Sequence, residues 1–140
     1  MTIKEIQEEI IDEFAMFDDW MQRYEYIIEM GKSLPLIQEE FKTNDNLIRG
    51  CQSKVWLHAE YIDGALDFTA DSDAILTKGI IALLLRVYSG KKPKEILDSE
   101  PYFIDKIGLK EHLSPTRANG LTSMVKQLKL YALAFQTKYN

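Results

Sequence analysis

Cysteine is almost missing from this chain of 140 residues, whose one thiol belongs to Cys51. A lone cysteine closes no internal disulfide, so nothing here depends on an oxidising compartment. Histidine is nearly as scarce. With Cys51, only His58 and His112 remain as nitrogen or sulfur ligands, too few for a four-ligand structural zinc site. Long apolar runs are missing too: the longest, Ile80–Leu85, has six residues against the roughly 20 of a membrane span. The opening Met1-Thr2-Ile3-Lys4-Glu5 becomes charged at once, without the apolar core of a secretory signal. These absences lead to the expectation of a soluble, cytoplasmic protein. Basic residues number 17 against 22 acidic ones, for a net charge of −5, which provides no basic face for displacing counterions from phosphates and argues against a nucleic-acid partner. Neither a Walker A loop nor a dinucleotide-binding glycine fingerprint occurs, so no cofactor or metal is expected.

What is present is an ordinary globular balance, 46% apolar and 28% charged, in a length that suits one domain over residues 1–140. Thr2 and Glu5 form a capping-box pattern ahead of Ile3, Ile6, Ile10 and Phe14, so a helix is predicted from Thr2 to about Phe17. Asp18 or Asp19 caps a second, in which Trp20, Tyr24, Ile27 and Ile28 share a face and Gly31 and Pro35 bracket the end. Asn44-Asp45-Asn46 reads as a turn and Leu47-Ile48 as a short β-prone piece. From Val55 the pattern alternates. Val55, Leu57, Ala59 and Tyr61 lie on one side and Trp56, His58 and Glu60 on the other, the period of a strand. Asp63-Gly64 then turns the chain into a return strand with Leu66, Phe68 and Ala70 inward.

Asp71-Ser72-Asp73 supplies N-caps for a long helix to about Ser89, closed by Gly90 and apolar on all faces through Ile80–Leu85, the predicted centre of the core. Short helices are predicted from Pro93 to Leu97 and from Pro101 to Gly108. The last begins at Ser114-Pro115 and buries Leu121, Met124, Val125, Leu128 and Ala132. Helices, a small antiparallel sheet, then helices again make an α+β domain.

Cys51 falls in a loop between Gly50 and Gln52, where reactive groups occur more often than in regular elements. By composition alone a free intracellular cysteine is most often a small buried hydrophobe. A cysteine–histidine hydrolase would need a base within reach. His58 shares the Trp56 face of its strand, and His112 stands in a distant loop.

Asn46-Leu47-Ile48-Arg49-Gly50-Cys51-Gln52-Ser53-Lys54-Val55-Trp56 resembles the sulfur-acceptor loop of the SufE family, whose hallmark is Gly-Cys-Gln-Ser followed one residue later by Val-Trp. The resemblance runs from about Phe14 to Lys138. It takes in Asp71-Ser72-Asp73-Ala74 with Lys78-Gly79, and His112-Leu113-Ser114-Pro115-Thr116-Arg117 with Asn119-Gly120-Leu121. It implies a fold shared with IscU-type scaffolds, a small antiparallel sheet with helices against it.

The resemblance further implies that Cys51 accepts sulfane sulfur as a persulfide from a pyridoxal-phosphate-dependent cysteine desulfurase. The chain would stimulate that enzyme without being an independent enzyme itself, and would hand the sulfur to a cluster-assembly scaffold, acting as a monomer or homodimer. Gly50 would shape the loop, and Gln52 and Ser53 would fix its backbone or the sulfur. Trp56 would wall an apolar recess or simply pack in the core. Asp73 suits a helix cap better than a catalytic acid. Arg117 would pair with an acidic group of the desulfurase, anchor the loop or form a structural ion pair, and His112 enters only through the C-terminal signature. The competing implication is an adaptor that binds a desulfurase or scaffold without chemistry at Cys51.

Overall fold

The structure, a computed structural model, describes residues 1–139, and in it each helical period of the sequence becomes a helix with an identifiable start. The first, α1 (Ile3–Ala15), opens on the Thr2–Glu5 capping box, and α2 (Trp20–Gly31) on Asp19, whose carboxylate accepts the Gln22 N–H at 2.9 Å. A loop with two short 3₁₀ turns leads to the antiparallel hairpin of β1 (Val55–Ile62) and β2 (Ala65–Ser72), with Val55 opposite Ser72 and Ile62 opposite Ala65. Asp63 and Gly64 both take positive φ, as the tight turn requires. After it come α3 (Ile75–Tyr88), α4 (Pro93–Asp98), α5 (Phe103–Lys106) and α6 (Pro115–Tyr139).

The inward residues of the hairpin, Val55, Leu57 and Ala59 with Leu66, Phe68 and Ala70, are all buried and share one cluster with Ile80–Leu85 of α3. At about 1.5–3 kcal/mol for each large apolar side chain removed from water, α3 is the chief contributor to the core. Its one charged interior side chain, Arg86, reaches back to Glu13 of α1 at 2.8 Å.

Two expectations need correction. The run Asp71-Ser72-Asp73 caps nothing with its carboxylates: β2 continues through Ser72, and α3 starts at Ile75 behind Ala74, which has no side-chain cap. Asp71 instead holds Lys42 at 2.7 Å and Lys78 at 3.4 Å. Leu47-Ile48 forms no strand either, only an isolated bridge from Leu47 to Trp56. Gly31 does stand at the end of α2, but packing explains it better than a left-handed cap. A Cβ there would meet Gly79 N at 3.1 Å, so the two glycines let α2 and α3 cross backbone to backbone.

Candidate functional site

The loop that carries Cys51 is tied at its neck. Ile48 donates its N–H to the Val55 carbonyl at 2.8 Å. Lys54 and Asp73 exchange two bonds, from Lys54 N–H to Asp73 Oδ1 at 3.0 Å and from Asp73 N–H to the Lys54 carbonyl at 3.2 Å. At the tip Gly50 has φ +91°, and a Cβ there would stand 2.4 Å from Ser123 Oγ of α6. Backbone and space both call for glycine at position 50.

This places the half-buried thiol against the second turn of α6, its S–H directed at the Gly120 carbonyl with Sγ 3.5 Å away. A Cβ on Gly120 would meet Sγ at 3.5 Å, an ordinary contact, so the approach does not depend on glycine there. Around the sulfur lies a recess of about 40 Å³, lined by Gln52 and Ser53 of the loop, Thr77 and Ile80 of α3, and Thr116, Arg117, Gly120 and Met124 of α6. A single water needs a cavity of ~10–15 Å³. The recess therefore has room for about three water-sized groups beside the sulfur, enough for one further atom bonded to Sγ.

Burial pushes the Cys51 thiol above its ordinary value, because a thiolate loses more hydration than a thiol. The resting group is therefore neutral at pH 7. Alkylation by iodoacetamide is expected to be slow at neutral pH and to rise along a curve centred above the ~8.5 of free cysteine; a midpoint at or below that value would contradict the burial. The folded chain keeps this proton longer than the unfolded one. The resulting stability is complete below the unfolded thiol's value and is lost as pH rises through the folded one.

Of the residues singled out in the sequence, Cys51, Gln52, Ser53 and Arg117 line the recess together, while Gly50 faces Ser123 and does not line it. Trp56 does not. It lies on the outer face of the hairpin beneath Lys42, whose Nζ is 5.5 Å from the ring centroid. Lys42 also pairs with Asp71, the residue opposite Trp56 in the register. Trp56 thus covers an ion pair rather than the sulfur. Asp73 is neither cap nor acid here but half of the clamp on Lys54. His112 stacks on Trp20 with centroids 3.9 Å apart and places Nδ1 2.9 Å from the Gly108 carbonyl, outside the recess. His58 stacks on Phe41, also at 3.9 Å. Arg117 makes no ion pair among the described residues.

Sequence reasoning missed the walls given by α3 and α6: Thr77, Ile80, Thr116 and Met124. None of these residues stands out by type, because each reaches the recess only through the packing of its helix. Among the described residues no three His, Cys, Asp or Glu side chains converge as metal ligands, and no helix is long and apolar enough to cross a membrane.

Residues 8–132 match the SufE family, described as an Fe–S metabolism associated domain. An uncharacterized SufE-like protein of Rhizobium meliloti is 46% identical over 128 residues, covering 87% of this chain and 91% of that protein. A SufE-like protein of Synechocystis, also uncharacterized, is 39% identical over 127 residues, covering 91% of this chain and 80% of its own length. The solution structure of a hypothetical protein from Thermus thermophilus superposes with a TM-score of 0.78 at 20% identity, over 94% of this chain and 96% of that one. At that identity it speaks for the fold alone.

Proposed function

Because the chain belongs to the SufE family and so to Fe–S metabolism, we propose that Cys51 is a sulfur acceptor loaded by a cysteine desulfurase. The observation that carries this reading is a half-buried thiol, on a neck-tied loop, facing a small recess of about 40 Å³ that can house a further atom on the sulfur. Carriage of a single sulfur atom needs both parts, and a hydrolase or a metal scaffold needs neither.

The step is an exchange of thiol–disulfide type. The Cys51 thiolate attacks the outer sulfur of a persulfide on the desulfurase. A bond forms from Cys51 Sγ to that sulfur, and the donor's S–S bond breaks. The electron pair leaves on the donor cysteine, which takes up the proton given by Cys51, and the sulfur keeps its oxidation level throughout. With no second cysteine in the sequence, no internal thiol can expel the cargo by closing a disulfide. It leaves only to a thiol brought by another molecule, which suits delivery to a cluster-assembly scaffold. On this reading residues 1–140 act as one cytoplasmic sulfur-acceptor domain, alone or as a homodimer, and chemistry begins only beside a pyridoxal-phosphate-dependent desulfurase.

Incubation with a cysteine desulfurase and cysteine under anaerobic conditions is expected to add the mass of one sulfur atom per chain, removable by a thiol reductant. An unchanged intact mass, with the desulfurase turning over normally, would count against the proposal.

A further inference from the structure

Thr77 has an unusual place. It belongs to the first turn of α3, it is 5% exposed, and it lines the recess beside Cys51. Helical threonines ordinarily satisfy a buried hydroxyl on the carbonyl one turn back. The exposed Thr122 and Thr137 make the same bond at the surface, on Ala118 at 3.2 Å and Leu133 at 2.9 Å. The Thr77 hydroxyl makes no hydrogen bond to any described residue; it opens into the recess. Its oxygen is not sealed off, since the fully enclosed side-chain atoms without a partner among the described residues are Arg23 Nε and Tyr88 Oη. It is free to donate to an atom that enters the recess, and the unloaded Cys51 thiol is directed at Gly120 instead.

The surroundings are of one electrical sense. Thr77 lies in the first turn of α3, 14 residues long, while Thr116 and Arg117 lie in the first turn of α6, 25 residues long. Both helices therefore turn their positive ends toward the recess, and Arg117, which makes no ion pair among the described residues, is one of its lining residues. No carboxylate lines it. Such a setting favours a negative charge on whatever atom enters.

We infer that Thr77 is the hydrogen-bond donor that holds the outer sulfur of loaded Cys51 in its anionic form within the recess. The inference rests on the acceptor reading above and adds to it the residue that holds the cargo. The charged outer sulfur repels incoming thiolates, so the hydroxyl lengthens the life of the cargo until a recipient opens the site.

The test loads the full chain with inorganic polysulfide, which needs no desulfurase, and follows the added sulfur by intact mass during exposure to dithiothreitol. One reductant thiolate attacks the outer sulfur and releases Cys51 as a thiolate. The second reductant thiol then closes the cyclic disulfide and expels sulfide. Thr77→Val, equal in shape but without the hydroxyl, is expected to lose sulfur roughly tenfold faster than the parent, in keeping with a hydrogen bond to a charged group. Thr77→Ser is expected to keep the parental rate. The midpoint for persulfide ionisation, read from the pH dependence of alkylation, is expected to rise in Thr77→Val and return in Thr77→Ser. Should the valine variant fold poorly, Thr77→Ala supplies the same comparison. Equal lifetimes and equal midpoints in the parent and the hydroxyl-free variant would overturn the role of Thr77 and leave the acceptor reading intact. A parent loaded by polysulfide but never by a desulfurase would remove the acceptor reading alone, and a parent loaded by neither would overturn both.

Discussion

Cys51→Ser is expected to reduce the sulfur gained from a desulfurase from one atom per chain to none, and to return that enzyme to its unassisted rate. The substitution is mild for the fold. The serine hydroxyl takes the direction of the thiol, falls short of the Gly120 carbonyl because its bond to Cβ is shorter, and can turn to water. The side chain is only half-buried, and the neck bonds at Ile48, Lys54 and Asp73 are untouched. A stability change within about 1 kcal/mol is expected, as for most substitutions that neither open a cavity nor strand a polar group. The chemistry has no such tolerance, since an alcohol at neutral pH is neither a nucleophile toward a persulfide nor a stable carrier of sulfane sulfur. Thermal melting and intact mass on one sample separate the two effects. A serine variant that still stimulates the desulfurase like the parent would shift the reading to an adaptor whose contacts lie elsewhere.

Gly79→Ala is expected to be the most damaging single methyl group in the chain. Its Cβ would stand 2.1 Å from the Ile27 carbonyl oxygen and 2.8 Å from Ile27 Cγ2. The first contact is helix backbone and cannot swing aside. To relieve it, α2 must move off α3, which disturbs the fully buried Ile27 and Ile80 together. Overpacking of this kind costs typically 1–3 kcal/mol and sometimes more, whereas the gain in helix propensity is about 1 kcal/mol. With the overpacking cost at the upper end of that range, a net loss of about 2 kcal/mol, seen as a fall in Tm of roughly 5–10 °C for a chain of this size, is the expected result. Unchanged melting would mean that the two helices do not cross at these glycines. Gly120→Ala offers the control: its Cβ would meet nothing closer than Cys51 Sγ, an ordinary contact at 3.5 Å.

The contrast between those glycines shows what could be read before the fold was known. Local rules delivered the hairpin, because a period of two flanking Asp63-Gly64 has few other meanings. They also delivered the centre of the core, because Ile80–Leu85 has no polar face to offer water. Asp73 misled because a carboxylate just ahead of a helix looks the same whether it caps that helix or clamps a residue 19 positions earlier, as it does with Lys54. Trp56 misled because nearness in sequence to Cys51 says nothing about which face of a strand a side chain takes. The far wall of the recess was illegible for a plainer reason. Thr77 and Gly120 reach the sulfur only through the packing of α3 and α6 on the hairpin, and no pattern within either helix records that packing.

The bond from Cys51 to Gly120 spans 69 residues. During synthesis at ~5–20 residues per second, the sulfur leaves the ribosome well before its shield exists and spends several seconds as an open thiol. Oxidants and stray electrophiles meet it then on terms they never find in the finished protein. The newborn chain is thus the stage at which this thiol is most exposed to permanent damage.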